Sequence, residues 1–496
     1  MIRDGEGMIR EPRDGPGILA HGLLAILLLF PLACDSGTSS GPEPTERTLV
    51  LLYTNDEHGW IDQSSESDGA ARLMGLWRSV EGYDESGDYL ILSGGDNWTG
   101  PAISTWFQGE STVDVMNAMG YAASAIGNHE FDFTVEGLND RITQADYPFL
   151  AANIRLKGSN TTPNFATPFF IENVNGIRVG LVGLASTSTP WTTFPTYVED
   201  YDFIPYEEAL QEAVPHAWGA GADLVIVVGH LCYDEMISVL PVARDLGVSV
   251  VTGGHCNEQV GEVRDGVALV VGGWRFANYG RVEIGFHEES GSPYRVQSGV
   301  RANSGGSPDP AVQAVVATWK QAADAELFQV MGYVNGAIPN GSPALYNLIS
   351  DSWLYAYPAA DIAMTNSGGV RQGIPAGDIT RGTIVGVLPF QNTLVEVELT
   401  GAEVVDCLEN GVVVAGMSTT AGYLHADGTP LKMDSLYHVL TTDYLYARSD
   451  YNFHLYDPTP YNTGISYHQP TVAFLQSLGT SAGDPLDAYL DHTARR

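Results

Sequence analysis

The chain has 496 residues, of which 44% are apolar and 10% are aromatic, so it can form globular cores and does not have the composition of a disordered protein. This length exceeds what one hydrophobic core usually organises, and two domains are therefore expected. Acidic residues number 60 against 23 basic ones, and the formal charge of -37 argues against nucleic acid and anionic membrane surfaces as partners.

The amino terminus contains an apolar run at 17–34, GILAHGLLAILLLFPLAC, which is slightly short for a bilayer span and ends on Ala33 and Cys34. This ending resembles that of a bacterial lipoprotein signal, which implies cleavage before Cys34 and lipidation of that cysteine. We therefore predict a signal peptide at 1–33 and a flexible tether at 34–47. The predicted location is the periplasm or the cell surface, with membrane attachment through the lipid only. An uncleaved anchor is the alternative.

Five apolar runs follow, and each breaks abruptly on a polar cluster. In chain order they are TLVLLYTNDEHG, YLILSGGDNWTG, ASAIGNHEFD, DLVIVVGHLCYD and SVVTGGHCNEQ. Helical patterns at 69–80 and 206–218 lie between them. Continuous apolar runs are typical of strands covered by helices on both faces, and ligands bind outside the carboxyl ends of such strands. The pattern predicts an α/β layered domain whose polar clusters form one site.

The polar clusters supply carboxylate, imidazole and amide groups, which divalent metal ions accept as ligands. A single Asp-x-His or Gly-Asn-His is better explained by a capped turn. Five such clusters at equivalent strand ends favour a metal centre. Its candidate residues are Asp56, His58, Asp96, Asn128, His129, His230, His255 and Asn257.

The series TNDEHG, GGDNWTG, GNHEFD, GH at 229–230 and GGH ending at His255 resembles the motifs of the calcineurin-like metallophosphoesterases, in the branch formed by the 5′-nucleotidases. The resemblance implies two divalent ions (Mn, Zn, Co or Mg) and attack on phosphorus by a hydroxide held between them. It implies that His129 assists the leaving group and that Asp132 orients His129. The implied ligands are Asp56 and His58 for the first ion, Asp96 for both, and Asn128, His230 and His255 for the second.

Asn257 occupies a position where most of that family has histidine, and we expect it to complete the first ion site through its weaker amide oxygen. Glu57 and Glu130 have no assigned role and are expected to be solvated or to support the ligands. Cys232 and Cys256 each lie within two residues of a candidate histidine, so they are possible neighbours. Cys256 is expected to pack in the wall of the site, with a thiolate ligand as the alternative.

A Gly/Ser/Pro segment passes into a helical pattern at 299–326, and the domain boundary is placed there. Downstream, MTNSGGVRQGIPAGDITRGTIVGVLPFQNTLVEVELTG resembles the carboxy-terminal domain of the 5′-nucleotidases, and the whole similarity covers roughly 48–480. The predicted domains are a layered metallophosphoesterase sandwich at 48–300, a linker and helix at 301–325, and a second α/β (α+β) substrate-binding domain at 326–496.

In the second domain, the resemblance implies a base stacked between Phe390 and Tyr444, sugar hydroxyls bound by Asp450, and a substrate faced by Asn366 and Arg371. Phe390 as a core aromatic and Tyr444 as one of several packed tyrosines are the alternatives. Arg448-Ser449-Asp450 replaces the Gly-Gly-Asp usual in the family, at a turn where a positive φ is expected.

The predicted function is that of an extracytoplasmic metal-dependent phosphomonoesterase that hydrolyses nucleotides to nucleosides and phosphate. A relative acting on cyclic nucleotides, nucleotide sugars or another anionic ester is the first alternative. A non-catalytic binding lipoprotein is the second, although binding alone would not require the leaving-group acid His129. No protein partner is inferred from the sequence.

Overall fold

The structure is a computed structural model that describes residues 46–64, 67–287, 293–409 and 411–496. Cys34, the predicted signal peptide and most of the predicted tether lie outside these ranges. Within them, no helix combines the length and apolar character needed to cross a bilayer.

Among the residues that the structure describes, the first part of the chain contains fourteen strands and seven α-helices. The strands are β1 (Glu46–Thr54), β2 (Tyr89–Ser93), β3 (Ala123–Ala125), β4 (Phe149–Leu150), β5 (Ile154–Leu156), β6 (Phe169–Val174), β7 (Ile177–Leu184), β8 (Tyr201–Phe203), β9 (Leu224–Gly229), β10 (Val250–Thr252), β11 (Gln259–Arg264), β12 (Val267–Gly272), β13 (Asn278–His287) and β14 (Pro293–Ala302). The helices are α1 (Gly69–Leu76), α2 (Ala102–Thr105), α3 (Glu110–Met119), α4 (Thr134–Gln144), α5 (Thr189–Thr192), α6 (Tyr206–Gly219) and α7 (Tyr233–Asp245).

Twelve of these strands form two six-stranded sheets, ordered β14-β13-β1-β2-β3-β4 and β11-β12-β10-β9-β7-β6, and β5 and β8 form a separate two-stranded sheet. Each contains four consecutive parallel strands, β1 to β4 in one and β7, β9, β10 and β12 in the other. An apolar core that includes Leu51, Leu181 and Val228 lies between the sheets. Helices α1 and α3 cover the outer face of the first sheet, and α6 and α7 cover that of the second. The predicted layered α/β sandwich is therefore confirmed.

In its described ranges, 303–409 and 411–496, the second part of the chain contains nine strands and seven α-helices. The strands are β15 (Val330–Val334), β16 (Ile362–Asn366), β17 (Gly377–Thr380), β18 (Thr393–Thr400), β19 (Val412–Ala415), β20 (Met417–Ser418), β21 (Leu424–His425), β22 (Leu436–Thr442) and β23 (Tyr461–Ser466). The helices are α8 (Pro310–Leu327), α9 (Pro343–Ala356), α10 (Arg381–Val387), α11 (Gly401–Asp406), α12 (Asp443–Ala447), α13 (Phe453–Tyr456) and α14 (Gln469–Leu478).

The main sheet of this second part has the order β19-β16-β22-β18-β23 and separate apolar cores on its two faces. Helix α8 begins at Pro310, where Asp309 caps it by accepting from two backbone N–H groups. Trp319 on this helix contacts the ring of Phe107 and donates to Asp114, so α8 packs against the first part of the chain. The mixed α/β architecture predicted for the second part is confirmed.

Candidate active site

The seven predicted metal ligands follow the carboxyl ends of five parallel strands, β1, β2, β3, β9 and β10. These strand ends meet at one edge of the two sheets, as expected for a ligand site in an α/β fold. The buried ligands are Asp56, His58, Asp96, Asn128 and His230. His255 is partly buried and Asn257 is exposed. The site therefore has a buried floor and an open side.

Five of the seven residues have a left-handed backbone conformation, with φ between 45° and 68°. They are Asp56, His58, Asp96, His255 and Asn257. Such conformations cost on the order of 1 kcal/mol or more per non-glycine residue and cluster at functional sites. Gly127 shows how tight the turns are, because a Cβ there would lie 2.3 Å from Asp96 Oδ1. The backbone of these strand-end loops is strained, and in this conformation their side chains converge on the candidate site.

Two groups of potential ligand atoms overlap at Asp96, and the atoms in each group lie within 4.8 Å of one another. One group contains His58, Asp96 and His129, and the other contains Asp96, His230 and His255. The Asp56 carboxylate lies 3.9 Å from His58 Nε2 and accepts the backbone N–H of His255. The geometry places Asp96 at the centre, where the prediction requires the bridging carboxylate.

Two buried acceptors at the site fit a bound cation. His230 donates from Nδ1 to the Gly94 carbonyl, which leaves Nε2 unprotonated in the neutral ring and facing Asp96 Oδ2 at 3.1 Å without a hydrogen bond. Asn128 donates from Nδ2 to the Thr192 carbonyl, while its buried Oδ1 has no hydrogen-bond partner in the described residues. Burial lowers the pKa of His230, but the charges of Asp96 and Asp56 outweigh burial and raise the pKa to about 10, so Nε2 holds a proton that a bound metal ion would replace. The residues present fit divalent cations.

His129 and Asp132 form a hydrogen-bonded pair, with Nδ1 and Oδ2 2.7 Å apart. The His129 backbone N–H also donates to Asp96 Oδ1, so the imidazole is fixed relative to the centre of the site. Burial lowers the pKa of His129, but the charges of Asp132 and Asp96 outweigh burial and raise it above the usual value. The pair therefore favours an imidazolium, the form that can donate a proton to a leaving oxygen.

The two motif glutamates are buried, so the expectation of solvation is wrong for both. Glu130 accepts the backbone N–H groups of Asp96, Asn97 and Gly127. Glu57 accepts from the hydroxyls of Thr54 and Ser93. Burial raises the pKa of Glu57 to about 8 and that of Glu130 to about 7. Glu130 supports the loop that carries Asp96, which is the second of the two roles expected.

A cavity of about 270 Å³ connects this site to the second part of the chain. It is lined by His58, Asp96, Asn128, His129, Asp132, His255, Asn257, Asn366, Arg371, Phe390, Tyr444 and Arg448, among others. Arg371 Nη2 lies 3.0 Å from His58 Nε2, so the second part of the chain places a positively charged guanidinium beside the predicted metal site. Asp450 does not line the cavity, and its side chain is 52% exposed.

A family model described as the 5′-nucleotidase C-terminal domain matches residues 330–425. The 5′-nucleotidase of Bos taurus is 28% identical over 458 residues, covering 82% of this chain and 77% of the relative. Cell wall protein Lmo0130 of Listeria monocytogenes is 24% identical over 533 residues, covering 87% of this chain and 67% of that protein. The solved 5′-nucleotidase precursor of Thermus thermophilus has the same fold, with a TM-score of 0.75 and 24% identity over 90% of this chain and 99% of its own. The chain is therefore similar to 5′-nucleotidases over most of its length, and residues 330–425 match the model of their C-terminal domain.

One loop of the site was not predicted from the sequence. It follows β7 and spans 185–198, and Thr192, Thr193, Phe194 and Tyr197 line the cavity. Ser188 Oγ lies 3.1 Å from His255 Nε2, and Thr193 donates to Asp132. The signal was present, because IRVGLVGL is another apolar run that ends at the same edge, but Ser and Thr follow it instead of metal-ligand types.

Cys232 and Cys256 form a disulfide, with their Cα atoms 5.2 Å apart. The expectation that these cysteines are neighbours is confirmed. The prediction that Cys256 packs in the wall of the site is wrong, because this residue is exposed. The alternative of a thiolate ligand is also excluded, because the sulfur is in a disulfide. The bond joins the loop after β9, which carries His230, to the loop after β10, which carries His255. It thereby ties together two predicted ligands of one ion. Cys407 is buried in the core of the second part of the chain.

Removing this disulfide is expected to weaken metal retention. In a Cys232→Ser/Cys256→Ser double variant, metal affinity should fall by about 10- to 100-fold, the usual effect of losing a group that orients ligands. Unfolding should also become easier by on the order of 3 kcal/mol. Metal content after dialysis and thermal melts measure the two effects, with Cys407→Ala as the matched control. Unchanged metal retention would show that the disulfide serves stability only.

Asn257→His is expected to tighten one ion site for Zn, because imidazole is a stronger Zn ligand than an amide oxygen. The wild type should bind one metal equivalent tightly and one loosely, and the variant should bind both tightly. Titration of chelator-treated protein against a chromophoric chelator measures both constants, with Asn257→Ala as the comparison. Two equally tight equivalents in the wild type would remove Asn257 from the ligand set.

Proposed function

We propose that the protein is an extracytoplasmic metal-dependent phosphomonoesterase that converts nucleotides to nucleosides and phosphate. The observation that carries the proposal is a single cavity with three components. These are the ligand groups that share Asp96, the His129–Asp132 pair, and the aromatic side chains of Phe390 and Tyr444. The first component would bind the metal ions, the second would assist the leaving group, and the third would stack on the base.

The role of each part follows from its position. Two divalent ions, when bound by the seven predicted ligands, would neutralise the phosphoryl oxygens and activate the attacking water. Arg371 reaches His58 across the cavity and would hold a phosphoryl oxygen through its guanidinium. His129 would donate a proton to the leaving oxygen, while Asp132 accepts from Nδ1 and fixes the ring.

The side of the cavity formed by the second part of the chain suits a flat apolar group. Phe390 packs 5.9 Å from the His129 ring in a stacked arrangement, and Tyr444 lies near the Arg448 guanidinium. Two aromatic rings bind any nucleobase, because every base has a π face. This end therefore supports nucleotides as a class and leaves the choice of base open.

A phosphate-release assay tests the proposal. The full chain, purified in detergent, would be incubated with nucleoside monophosphates, cyclic nucleotides, nucleotide sugars and nitrophenyl phosphate, each with Mn, Zn, Co or Mg. Release from nucleoside monophosphates that disappears in an Asp96→Ala variant supports the proposal. Faster release from another ester would assign the protein to that substrate class instead. No release from any ester with any metal would contradict the proposal and favour a non-catalytic binding lipoprotein.

The extracytoplasmic location is supported by the Cys232–Cys256 disulfide, because disulfides persist mainly in oxidising compartments. The relative from Listeria is a cell wall protein. We further propose that Cys34 carries the lipid. Cys34→Ala should abolish incorporation of labelled palmitate and shift the protein from the membrane fraction to the soluble fraction. Unchanged labelling would assign the membrane attachment to an uncleaved anchor or to another residue.

A further inference from the structure

The sugar end of the pocket differs from the family pattern at Arg448 and Ser449, and of these two residues Arg448 lines the cavity. Arg448 Nε donates to Asp450 Oδ1 at 2.8 Å, and Nη2 donates to Asp450 Oδ2. Both oxygens of the carboxylate are therefore engaged by one guanidinium in a bidentate pair. Asp450 is the residue that the family resemblance assigns to the sugar hydroxyls. Here both oxygens of that carboxylate pair with Arg448, and Asp450 is not among the residues that line the cavity.

The remaining contacts of Arg448 hold it in place across the pocket. Nη1 donates to the Tyr444 hydroxyl at 2.8 Å and to the Trp191 carbonyl at 2.6 Å. Trp191 belongs to the loop after β7, so Arg448 connects the substrate end of the second part to the loop that contacts His255 and Asp132. Its side chain is only 18% exposed and lines the cavity, where Asp450 does not.

The backbone tolerates this replacement without strain. Arg448 ends helix α12 with φ at -79° and ψ at 129°, an extended conformation open to any residue. The positive φ expected at this position is therefore wrong for Arg448. Nothing in the local backbone demands glycine, and the arginine is free to act through its side chain.

We infer that Arg448 removes the sugar-hydroxyl acceptor from the pocket, so that ribo- and deoxyribonucleoside 5′-monophosphates are hydrolysed with similar efficiency. This inference rests on the proposed function and narrows its substrate class. A guanidinium whose N–H groups already bind Asp450, Tyr444 and Trp191 has little left to offer a sugar diol. Discrimination by the 2′ and 3′ hydroxyls requires an acceptor that lines the cavity. The bidentate pair holds Asp450 where it does not line the cavity, so its remaining lone pairs are out of reach of a bound sugar.

The experiment compares adenosine 5′-monophosphate with its 2′,3′-dideoxy analogue in the full-length protein. In the wild type, kcat/KM for the two should agree within about threefold, since no charged acceptor contacts the hydroxyls. Arg448→Gly frees Asp450 and should raise the ratio to about 10-fold or more, the effect of a hydrogen bond to a charged group. Adding Asp450→Asn to that variant should return the ratio to the wild-type value. Ser449→Gly is the matched backbone control and should leave it unchanged.

Equilibrium binding of adenosine and 2′,3′-dideoxyadenosine separates this inference from the proposed function. Equal binding without hydrolysis of either nucleotide would overturn the proposed function and keep the role of Arg448. A wild-type preference above 10-fold for the hydroxylated ligand would overturn the inference, and this test does not depend on how the variants fold. An unchanged ratio in a folded Arg448→Gly variant, or no nucleoside binding at all, would overturn it as well.

Discussion

His129→Ala is expected to lower kcat for nucleotides by about 10² to 10⁴, the usual contribution of a general acid. The effect should be much smaller with nitrophenyl phosphate, because nitrophenolate leaves without a proton. The structure supplies the reason, since Asp132 accepts from Nδ1 and Asp96 holds the backbone N–H of the same residue. Steady-state kinetics on both substrates measure the difference.

Metal content must be measured in the same variant, because His129 also lies within 4.8 Å of potential ligand atoms of His58 and Asp96. A donor to the leaving oxygen can be removed without loss of metal. Asp132→Asn is the matched variant, and it should show a smaller loss with the same dependence on the leaving group. A His129→Ala protein that has lost metal, or that loses equal activity on both esters, would make His129 a ligand instead.

The convergence of the candidate site residues could be predicted because these residues follow the ends of strands. Buried parallel strands such as β1 and β9 read as continuous apolar runs, and the polar residue after each run necessarily falls at one edge of the sheet. Asp56 and His230 could therefore be placed together although they are far apart in the chain. The same argument covers β7, whose Ser/Thr-rich loop was passed over because its residue types suggested no ligand.

Other features depend on distances that periodicity does not encode. Whether Cys232 and Cys256 bond depends on a Cα separation of 5.2 Å between two loops. The contact between Arg371 and His58 depends on how the second part of the chain packs on the first. The capture of Asp450 by Arg448 depends on side-chain rotamers. These pairings required the three-dimensional structure, and they set the boundaries of the substrate pocket.

Tyr444→Ala is expected to raise KM for nucleotides by about 10- to 100-fold while leaving nitrophenyl phosphate turnover nearly unchanged, at roughly 1 to 3 kcal/mol per stacked base. Tyr444 lines the cavity from helix α12, and its described contacts do not include the His129 ring. Phe390→Ala should raise KM similarly, and the two together by up to about 10³. However, Phe390 stacks 5.9 Å from His129, so its loss should also lower kcat.

Two controls separate stacking from structure. Tyr444→Phe keeps the ring but removes the hydroxyl that accepts from Arg448, so KM should stay close to the wild-type value if the ring is what binds the base. Tyr446→Ala removes a ring from the same helix that does not line the cavity and instead donates to the Asp457 carbonyl, so it reports the cost of losing a packed tyrosine. If Tyr446→Ala and Tyr444→Ala raise KM equally, or if Tyr444→Ala slows both substrates alike, Tyr444 is a packing residue and the nucleobase binds elsewhere in the cavity.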